Sequence, residues 1–167
     1  EIPLLLFTYL NPALHYGFDK LARDAKASGI DGLLLTDLSV EEAAPFLKPL
    51  RAAGLDTVFL AAPTSTERRL RLVAEYSTGF VYLVSRTGVT GERAALSDSL
   101  APLIEKMRAV TSLPLAAGFG ISTPEQTAAV ARMADGVVVG SAIVRQIEQD
   151  SNGLEPMVRA LAEGMKR

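Results

Sequence analysis

The sequence predicts an α/β fold in which short buried strands alternate with helices around a parallel sheet. Apolar runs such as residues 33–35 and 137–139 show no polar alternation, which is typical of parallel strands covered on both faces. Segments with a one-sided apolar stripe, such as residues 19–27, separate these runs and indicate helices. Because the connections are short and strand follows helix throughout, successive strands should run in the same direction.

Six strands are predicted in order along the chain. They cover residues 3–9, 32–36, 57–62, 80–85, 115–118 and 136–140. The intervening helices cover residues 14–28, 41–53, 67–76, 99–111 and 125–133, and two more follow the last strand at residues 142–149 and 154–166. Gly29, Gly54 and Gly79 are expected just beyond helix ends, where glycine is favoured. Since neither a linker nor a low-complexity tract is visible, residues 1–167 should form one domain.

The composition excludes several classes of function. With 49% hydrophobic and 22% charged residues, the 167 residues can bury a core as a globular domain. The formal net charge is -2 and both signs are interspersed, so no nucleic-acid-binding surface is indicated. The absence of cysteine excludes disulfides, thiolate nucleophiles and cysteine-ligated metals. No apolar run approaches the length of a membrane span, and we expect a cytoplasmic protein.

Two successive glycine-bearing strand ends are the strongest functional signal. Gly118-Phe-Gly-Ile-Ser-Thr-Pro-Glu is followed about twenty residues later by Gly136-Val-Val-Val-Gly-Ser-Ala-Ile. Ser122 or Thr123 should cap a helix that has Pro124 in its first turn. Exposed backbone N–H groups and helix N-termini would then meet at one place, an arrangement that binds phosphate at the last two turns of a βα barrel. The alternative is that these glycines only tighten the turns between strands and helices.

A second candidate feature is the loop Ser85-Arg-Thr-Gly-Val-Thr-Gly91, which follows the fourth strand. A long loop with two glycines at this position can fold over a ligand and exclude water. The alternative is a flexible connector without a function of its own.

Together these motifs resemble the tryptophan synthase alpha subunit family. The resemblance rests on the loop at residues 85–91, on Gly118-Phe-Gly-Ile-Ser-Thr-Pro-Glu-Gln and on Gly140-Ser-Ala-Ile-Val. Tyr9-Leu-Asn-Pro, Leu35-Thr-Asp-Leu-Ser-Val-Glu-Glu and Ala62-Pro-Thr-Ser-Thr fit the same family in the same order. The family fold is a TIM barrel of eight βα units, and this chain resembles the third to the eighth. The expected fold is therefore an incomplete, open barrel of six parallel βα units that lacks the first two.

The resemblance implies a carbon–carbon lyase of tryptophan biosynthesis. The family cleaves indole-3-glycerol phosphate to indole and glyceraldehyde 3-phosphate, and its members work in an alpha2beta2 complex with a beta subunit. No cofactor is expected on this chain, because pyridoxal phosphate belongs to the beta subunit, and neither a metal, a nucleic acid nor a membrane is an expected partner. The catalytic Glu and Asp of the family lie on the second strand and its loop, which nothing here matches. The chain alone should be inactive, and the alternative is a non-catalytic module that binds a phosphate ligand or regulates a partner.

The site residues follow from the same resemblance. The substrate phosphate is expected at Gly91, Gly120, Gly140 and Ser141. The indole pocket is expected at Phe7, Tyr82, Phe119 and Val138, which would equally suit an ordinary barrel core. The lid is expected to use Thr87, Gly88 and Thr90. Contact or communication with the partner is expected at Asn11, Pro12 and Asp37.

Several of these positions carry a second interpretation or depart from the family. Asp37 would also serve as the N-cap of a helix that starts near Glu41. His15, the single histidine, is expected at a helix start or at the surface and not as a catalytic base. Thr36-Asp37-Leu38-Ser39 stands where the family usually has Pro-Asp-Leu-Pro, and Phe7 replaces a more usual aliphatic residue. Since six strands do not close an eight-stranded barrel, the first and last strands should be sheet edges that favour dimers or aggregates.

Overall fold

Seven short strands and eight helices make up the part of the chain that the computed structural model describes, which is residues 2–84, 93–118 and 120–166. The strands are β1 (Leu5–Thr8), β2 (Gly32–Leu35), β3 (Asp56–Thr57), β4 (Phe59–Ala61), β5 (Val81–Val84), β6 (Leu115–Gly118) and β7 (Gly136–Val138). The helices are α1 (Leu10–Tyr16), α2 (Phe18–Ala27), α3 (Ala44–Ala52), α4 (Glu67–Tyr76), α5 (Arg93–Arg108), α6 (Pro124–Ala131), α7 (Ser141–Gln149) and α8 (Leu154–Gly164). Short 3-10 turns span Val40–Glu42 and Ser151–Gly153.

All strand pairs are parallel, and the strands follow one another in space as they do in sequence. The pairing order is β1-β2-β3 in one group and β4-β5-β6-β7 in the other. Val58 joins the two groups, because it links β3 to β4 directly and its N–H donates to the Leu33 carbonyl at 3.0 Å. The strand predicted at residues 57–62 is thus one stretch of chain that pairs first with β2 and then with β5. β1 and β7 lie at the two edges, which confirms the open, incomplete barrel that the sequence predicts.

Aspartates fix the amino-terminal ends of two strand pairs. Asp31, just before β2, accepts a hydrogen bond from the Leu4 N–H at 2.8 Å. Asp135, just before β7, accepts one from the Leu115 N–H at 2.8 Å and also pairs with Arg108. Each carboxylate ties the start of its own strand to the start of the neighbouring strand. The register is therefore fixed at the end of the sheet opposite the predicted site, where residues of a barrel contribute to stability.

The core lies between the sheet and the helices that cover its outer face. Its fully buried members include Leu70 and Val73 of α4, Leu83 of β5 and Met107 of α5. A smaller cluster packs α2 and α3 against β2, with Leu33 at its centre. This burial is the main stabilising term of the fold. No helix within the described ranges combines the length and apolarity needed to cross a membrane.

The helix boundaries confirm the order of the predicted helices and correct several of their bounds. The predicted helix 41–53 is a 3-10 turn followed by α3, and α5 covers Arg93–Arg108 and not residues 99–111. Residues 14–28 do not form one helix, because Gly17 with φ 90° separates α1 from α2. Gly29 and Gly54 follow helix ends with φ of 82° and 67°, as predicted. The prediction for Gly79 is wrong, since α4 ends at Tyr76 with Ser77 as its C-cap. Gly79 instead allows the backbone to pass close to the Asp56 side chain, because a Cβ on residue 79 would lie 3.2 Å from Cβ of Asp56.

α8 packs closely across the first turn of α6. The buried Thr127 hydroxyl lies 2.8 Å from the Pro124 carbonyl and 3.0 Å from the Leu161 carbonyl, so it bridges the two helices. Gly164 belongs to the same contact, because a Cβ at this position would lie 2.5 Å from the Pro124 carbonyl oxygen. The helices can approach this closely only while residue 164 has no side chain.

We expect Gly164→Ala to destabilise the protein. Glycine to alanine within an exposed helix normally stabilises it by up to about 1 kcal/mol, whereas here the methyl group forces α8 away from α6 at a cost of about 1–3 kcal/mol. Thermal unfolding at matched protein concentration measures the difference. An increased unfolding temperature would mean that the two helices move apart without loss of stability, which would contradict the tight contact.

Candidate functional site

The carboxyl ends of β6 and β7 bring two predicted phosphate-binding glycines to neighbouring positions. Gly118 and Val138 are registered partners on these adjacent parallel strands. Gly120 and Gly140 each lie two residues further on, at the same edge of the sheet, where neighbouring strands are about 5 Å apart. Gly120 has φ 70°, a conformation that favours glycine, and both glycines are exposed.

The start of α7 is open to solvent at this edge. Gly140 is its N-cap and Ser141 its first residue. Gly140 has no side chain that could accept a hydrogen bond from the first turn of the helix. A Cβ placed on Gly140 would meet nothing within 4 Å. The described chain thus leaves the space beside Gly140 unfilled, and the start of a helix without a side-chain cap is the kind of site that attracts an anion.

The backbone N–H groups at the start of α6 are hydrogen-bonded within the chain. The N-cap predicted at Ser122 or Thr123 is confirmed at Thr123, whose hydroxyl accepts from the Gln126 N–H at 3.3 Å as part of a capping box. The Gln126 side chain accepts in turn from the N–H groups of Ser122 at 2.8 Å and Thr123 at 3.2 Å. The sequence suggested two helix N-termini open to an anion, but the loop before α6 uses its donors internally, in contrast to α7.

Tyr82 and Val138 converge on the inner face of the sheet, with Gly118 between them. A Cβ placed on Gly118 would lie 2.8 Å from the Tyr82 hydroxyl and 2.8 Å from Cβ of Val138. Tyr82 is half-buried, and this burial raises the pKa of its hydroxyl. The sequence analysis did not assign Gly118 this role, although an isolated glycine in a strand is a known signal for close approach of another group.

Phe7 lies apart from this pair. It is on the edge strand β1 with 58% of its surface exposed, and β2 and β4 stand between it and Tyr82 on β5. Phe7, Tyr82 and Val138 are not among the fully buried residues of the described chain, and their assignment to the indole pocket or to ordinary barrel core stays a prediction. The remaining predicted positions lie outside the described residues; they are Thr87, Gly88, Thr90, Gly91 and Phe119.

Asp37 connects the end of β2 to the start of α1. Its carboxylate accepts a hydrogen bond from the Leu10 N–H at 2.6 Å. It thereby satisfies a donor in the first turn of α1, a helix whose N-cap residue Tyr9 makes no capping hydrogen bond with its own side chain. The interpretation of Asp37 as a cap for a helix near Glu41 is wrong, because the 3-10 turn there starts after Ser39. Asn11 and Pro12 follow Leu10 in the exposed first turn of α1, so the three predicted partner residues lie together.

Two open clefts flank the end of β4 at the same edge. One, of about 210 Å³, lies between the loop that starts at Thr36 and the side chain of Arg69. The other, of about 270 Å³, lies between Arg69 and the loop at Thr64. Arg69 pairs with Glu41 at 3.6 Å. The Ser39 hydroxyl donates to the same carboxylate and lowers the pKa of Glu41, so this group is an anion near neutral pH.

The parallel strands, the helices on their outer face and the loops at their carboxyl ends define a partial barrel of the βα class. A family model described as the tryptophan synthase alpha chain matches residues 1–167. The chain belongs to the tryptophan synthase alpha chain family.

Individual relatives agree with this assignment. The tryptophan synthase alpha chain of Solibacter usitatus is 63% identical over 169 residues, covering 100% of this chain and 63% of the relative. A structure of Mycobacterium tuberculosis tryptophan synthase superposes with a TM-score of 0.91 at 39% identity, covering 99% of this chain and 63% of that one. A structure described as the Pyrococcus furiosus tryptophan synthase a2b2 complex gives a TM-score of 0.87 at 38% identity, with coverage of 96% and 67%. The chain thus spans under two-thirds of the length of the first of these relatives.

We expect Gly118→Ala and Gly140→Ala to differ sharply. The Gly118 methyl group would overlap Tyr82 and Val138, and we expect a loss of about 1–3 kcal/mol in stability together with a changed near-ultraviolet circular dichroism of Tyr82. Gly140→Ala meets no neighbour and should cost under about 1 kcal/mol, because alanine is only a poorer N-cap residue than glycine. Equal effects in thermal unfolding would contradict the close approach of Tyr82 to β6.

Proposed function

We propose that this chain is the substrate-holding part of a lyase that cleaves indole-3-glycerol phosphate into indole and glyceraldehyde 3-phosphate in tryptophan biosynthesis. The observation that carries the proposal is the uncapped, glycine-led start of α7 beside Gly120, in a member of the tryptophan synthase alpha chain family. The contacts and charges at the carboxyl ends of the strands support separate parts of this function.

The substrate phosphate binds at the start of α7. The N–H groups of Gly140 and Ser141 donate to its oxygens, and the Ser141 hydroxyl adds one more donor. The dipole of α7 contributes a partial positive charge of about half a unit at this end. Gly120, at the neighbouring strand end, brings a further N–H group, and Gly91 completes the proposed set.

The indole ring packs on the inner face of the sheet. Tyr82 and Val138 form one wall, and the absence of a side chain at Gly118 lets them approach each other. A flat apolar slot of this kind suits an aromatic ring. Phe119 and Phe7 are proposed as further walls, and Thr87, Gly88 and Thr90 as the lid that excludes water.

The chain holds the substrate but does not supply the proton transfers. Cleavage requires protonation of indole C3 and deprotonation of a glycerol hydroxyl, tasks that suit carboxyl groups with shifted pKa values. The Asp37 carboxylate is engaged by the Leu10 N–H, and the lowered pKa of Glu41 makes its carboxylate a poor proton donor. Neither of these two carboxylates fits the role, and we propose, as the family resemblance implies, that the catalytic acid and base lie in the part of the family fold that this chain does not match.

The proposed partner is a tryptophan synthase beta subunit, which contacts the surface formed by Asp37, Asn11 and Pro12. The hydrogen bond from the Leu10 N–H to Asp37 supports this, because it couples the start of α1 to the strand ends. The Pyrococcus furiosus relative is described as an a2b2 complex, and we propose the same assembly here. Pyridoxal phosphate would reside in the partner alone, and the complex would act in the cytoplasm.

We expect the 167-residue chain alone to release no indole above background from indole-3-glycerol phosphate. A fusion that adds the part of the Solibacter usitatus relative lying outside its match should release indole readily. Each missing acid or base group accounts for roughly 10²–10⁴-fold in rate. An inactive but folded fusion that still binds glycerol 3-phosphate would favour the second candidate function, a non-catalytic module that binds a phosphate ligand or regulates a partner.

We expect Gly140→Val in the active fusion to weaken glycerol 3-phosphate binding about tenfold or more, since the loss of one hydrogen bond to a charged group has this effect. The fold should form, because the space beside Gly140 is open. Equilibrium titration gives the affinity, and Gly140→Ala is the matched control with a smaller expected loss. Unchanged affinity in Gly140→Val would show that the start of α7 does not bind the phosphate.

A further inference from the structure

Helix α1 carries two of the proposed partner residues but has little apolar packing of its own. The structure describes all seven of its residues, and of these only Ala13 is fully buried, while Leu10 is half-buried against the core. A helix of two turns is marginal in isolation, because its nucleation costs more than its few hydrogen bonds return. The position of α1 therefore depends on contacts with its neighbours.

The two ends of α1 meet other elements in different ways. At its start, the Leu10 N–H donates to Asp37 at 2.6 Å. At its end, Gly17 with φ 90° separates α1 from α2. Because glycine tolerates many backbone conformations, a link of this kind leaves the angle between two helices free to change. A side-chain contact that crosses the link would fix that angle.

Tyr16, the last residue of α1, makes such a contact with two residues of α2. Its hydroxyl donates to the Asp24 carboxylate at 2.6 Å and accepts from the Lys20 ammonium at 2.9 Å. The same ammonium lies 4.1 Å from the centre of the Tyr16 ring and pairs with Asp24. In this tyrosine cluster, formed by the three residues, Tyr16 uses its donor, its acceptor and its ring face at once.

The charges of the tyrosine cluster favour these contacts. The hydrogen bond from Lys20 lowers the pKa of Asp24, and the same bond raises the pKa of Lys20, so both groups are ionised near neutral pH. The cluster is exposed, and an exposed ion pair adds little to stability. We therefore expect the cluster to affect the orientation of α1 more than the free energy of unfolding.

We propose that Tyr16 is a positioning residue of the proposed partner surface. Through the tyrosine cluster it holds α1 at a fixed angle to α2, and it thereby keeps Asn11 and Pro12 beside Asp37 in the arrangement that the beta subunit binds. The identity of the partner rests on the proposed function, whereas the hold on α1 rests on the contacts of the cluster. Without these contacts, α1 would have to be ordered when the partner binds, which costs affinity.

The test introduces Tyr16→Phe into the fusion with the remaining part of the Solibacter usitatus relative. This change keeps the ring and removes only the hydroxyl. In equilibrium titration with the Solibacter usitatus tryptophan synthase beta subunit, we expect the affinity to fall about threefold to tenfold, the cost of ordering a few side chains on binding. Amide hydrogen exchange of residues 10–16 in the free protein should become faster. The affinity for glycerol 3-phosphate should stay unchanged, because the proposed phosphate site is at the ends of β6 and β7.

A matched pair of lysine variants separates positioning from general damage. Lys20→Met removes the ammonium from the tyrosine cluster and should weaken partner binding as Tyr16→Phe does. Lys106→Met makes the same change at an exposed position in the last turn of α5. Since a helix between parallel strands runs opposite to them, this turn lies at the amino-terminal end of the sheet, away from α1, and partner binding should be unchanged.

Three results would overturn the proposal. They are equal weakening by Lys106→Met and Lys20→Met, exchange that becomes faster over the whole chain in Tyr16→Phe, and unchanged exchange of residues 10–16 in that variant. If the fusion binds the beta subunit and Tyr16→Phe binds it equally well, the proposed partner stands and the positioning role fails. If the fusion itself does not bind the beta subunit, the proposed partner fails, and the exchange of residues 10–16 decides whether Tyr16 holds α1.

Discussion

The stretch from Asp56 to Ala61 is the connection on which the geometry of the whole sheet depends. Its first residues pair with β2 and its last with β5, so the two groups of strands share this one stretch of chain. Its start is held by polar contacts, since the Thr57 N–H donates to the Thr78 hydroxyl at 3.0 Å and that hydroxyl donates to Asp56 at 2.8 Å. The proposed partner surface at β2 and the proposed substrate surface at β5 to β7 are placed relative to each other through these few residues.

The sequence predicted the order and type of the elements because apolar runs and one-sided stripes are local properties. Strand β6 was located to the residue, and helix α4 as well. One error concerns a local property and one a long-range contact. Gly17 adopts φ 90° and divides one predicted helix into two, an effect that a glycine inside a helical pattern can signal. Gly79 lets the chain pass close to Asp56, and that contact is not visible in the residues that flank the glycine.

The candidate site was predictable to a similar extent. The placing of Gly120, Gly140 and Ser141 at one edge follows from strand order, since parallel strands end at a common edge, whereas their assignment to a phosphate came from the family resemblance and stays a prediction. The sequence analysis missed that the Tyr82 side chain has room only because residue 118 is a glycine. This contact follows from the register of β5 against β6, which a single sequence does not contain. The hydrogen bond from Leu10 to Asp37 was missed for the same reason, as it joins residues 27 positions apart.

The starts of α6 and α7 differ in their caps. At residue 140, the residue that would best stabilise the helix is not the one that best suits the proposed phosphate binding. Side chains of Thr123 and Gln126 form a capping box at the start of α6, whereas the N-cap residue of α7, Gly140, has no side chain to make such a bond. Selection for stability alone would place Asp, Asn or Ser at position 140, each a better cap than glycine. An aspartate there would occupy the donors and carry the same sign of charge as a phosphate. Under the proposed function, the open helix start thus costs the fold a few tenths of a kcal/mol in capping energy and leaves the first donors of α7 to the phosphate.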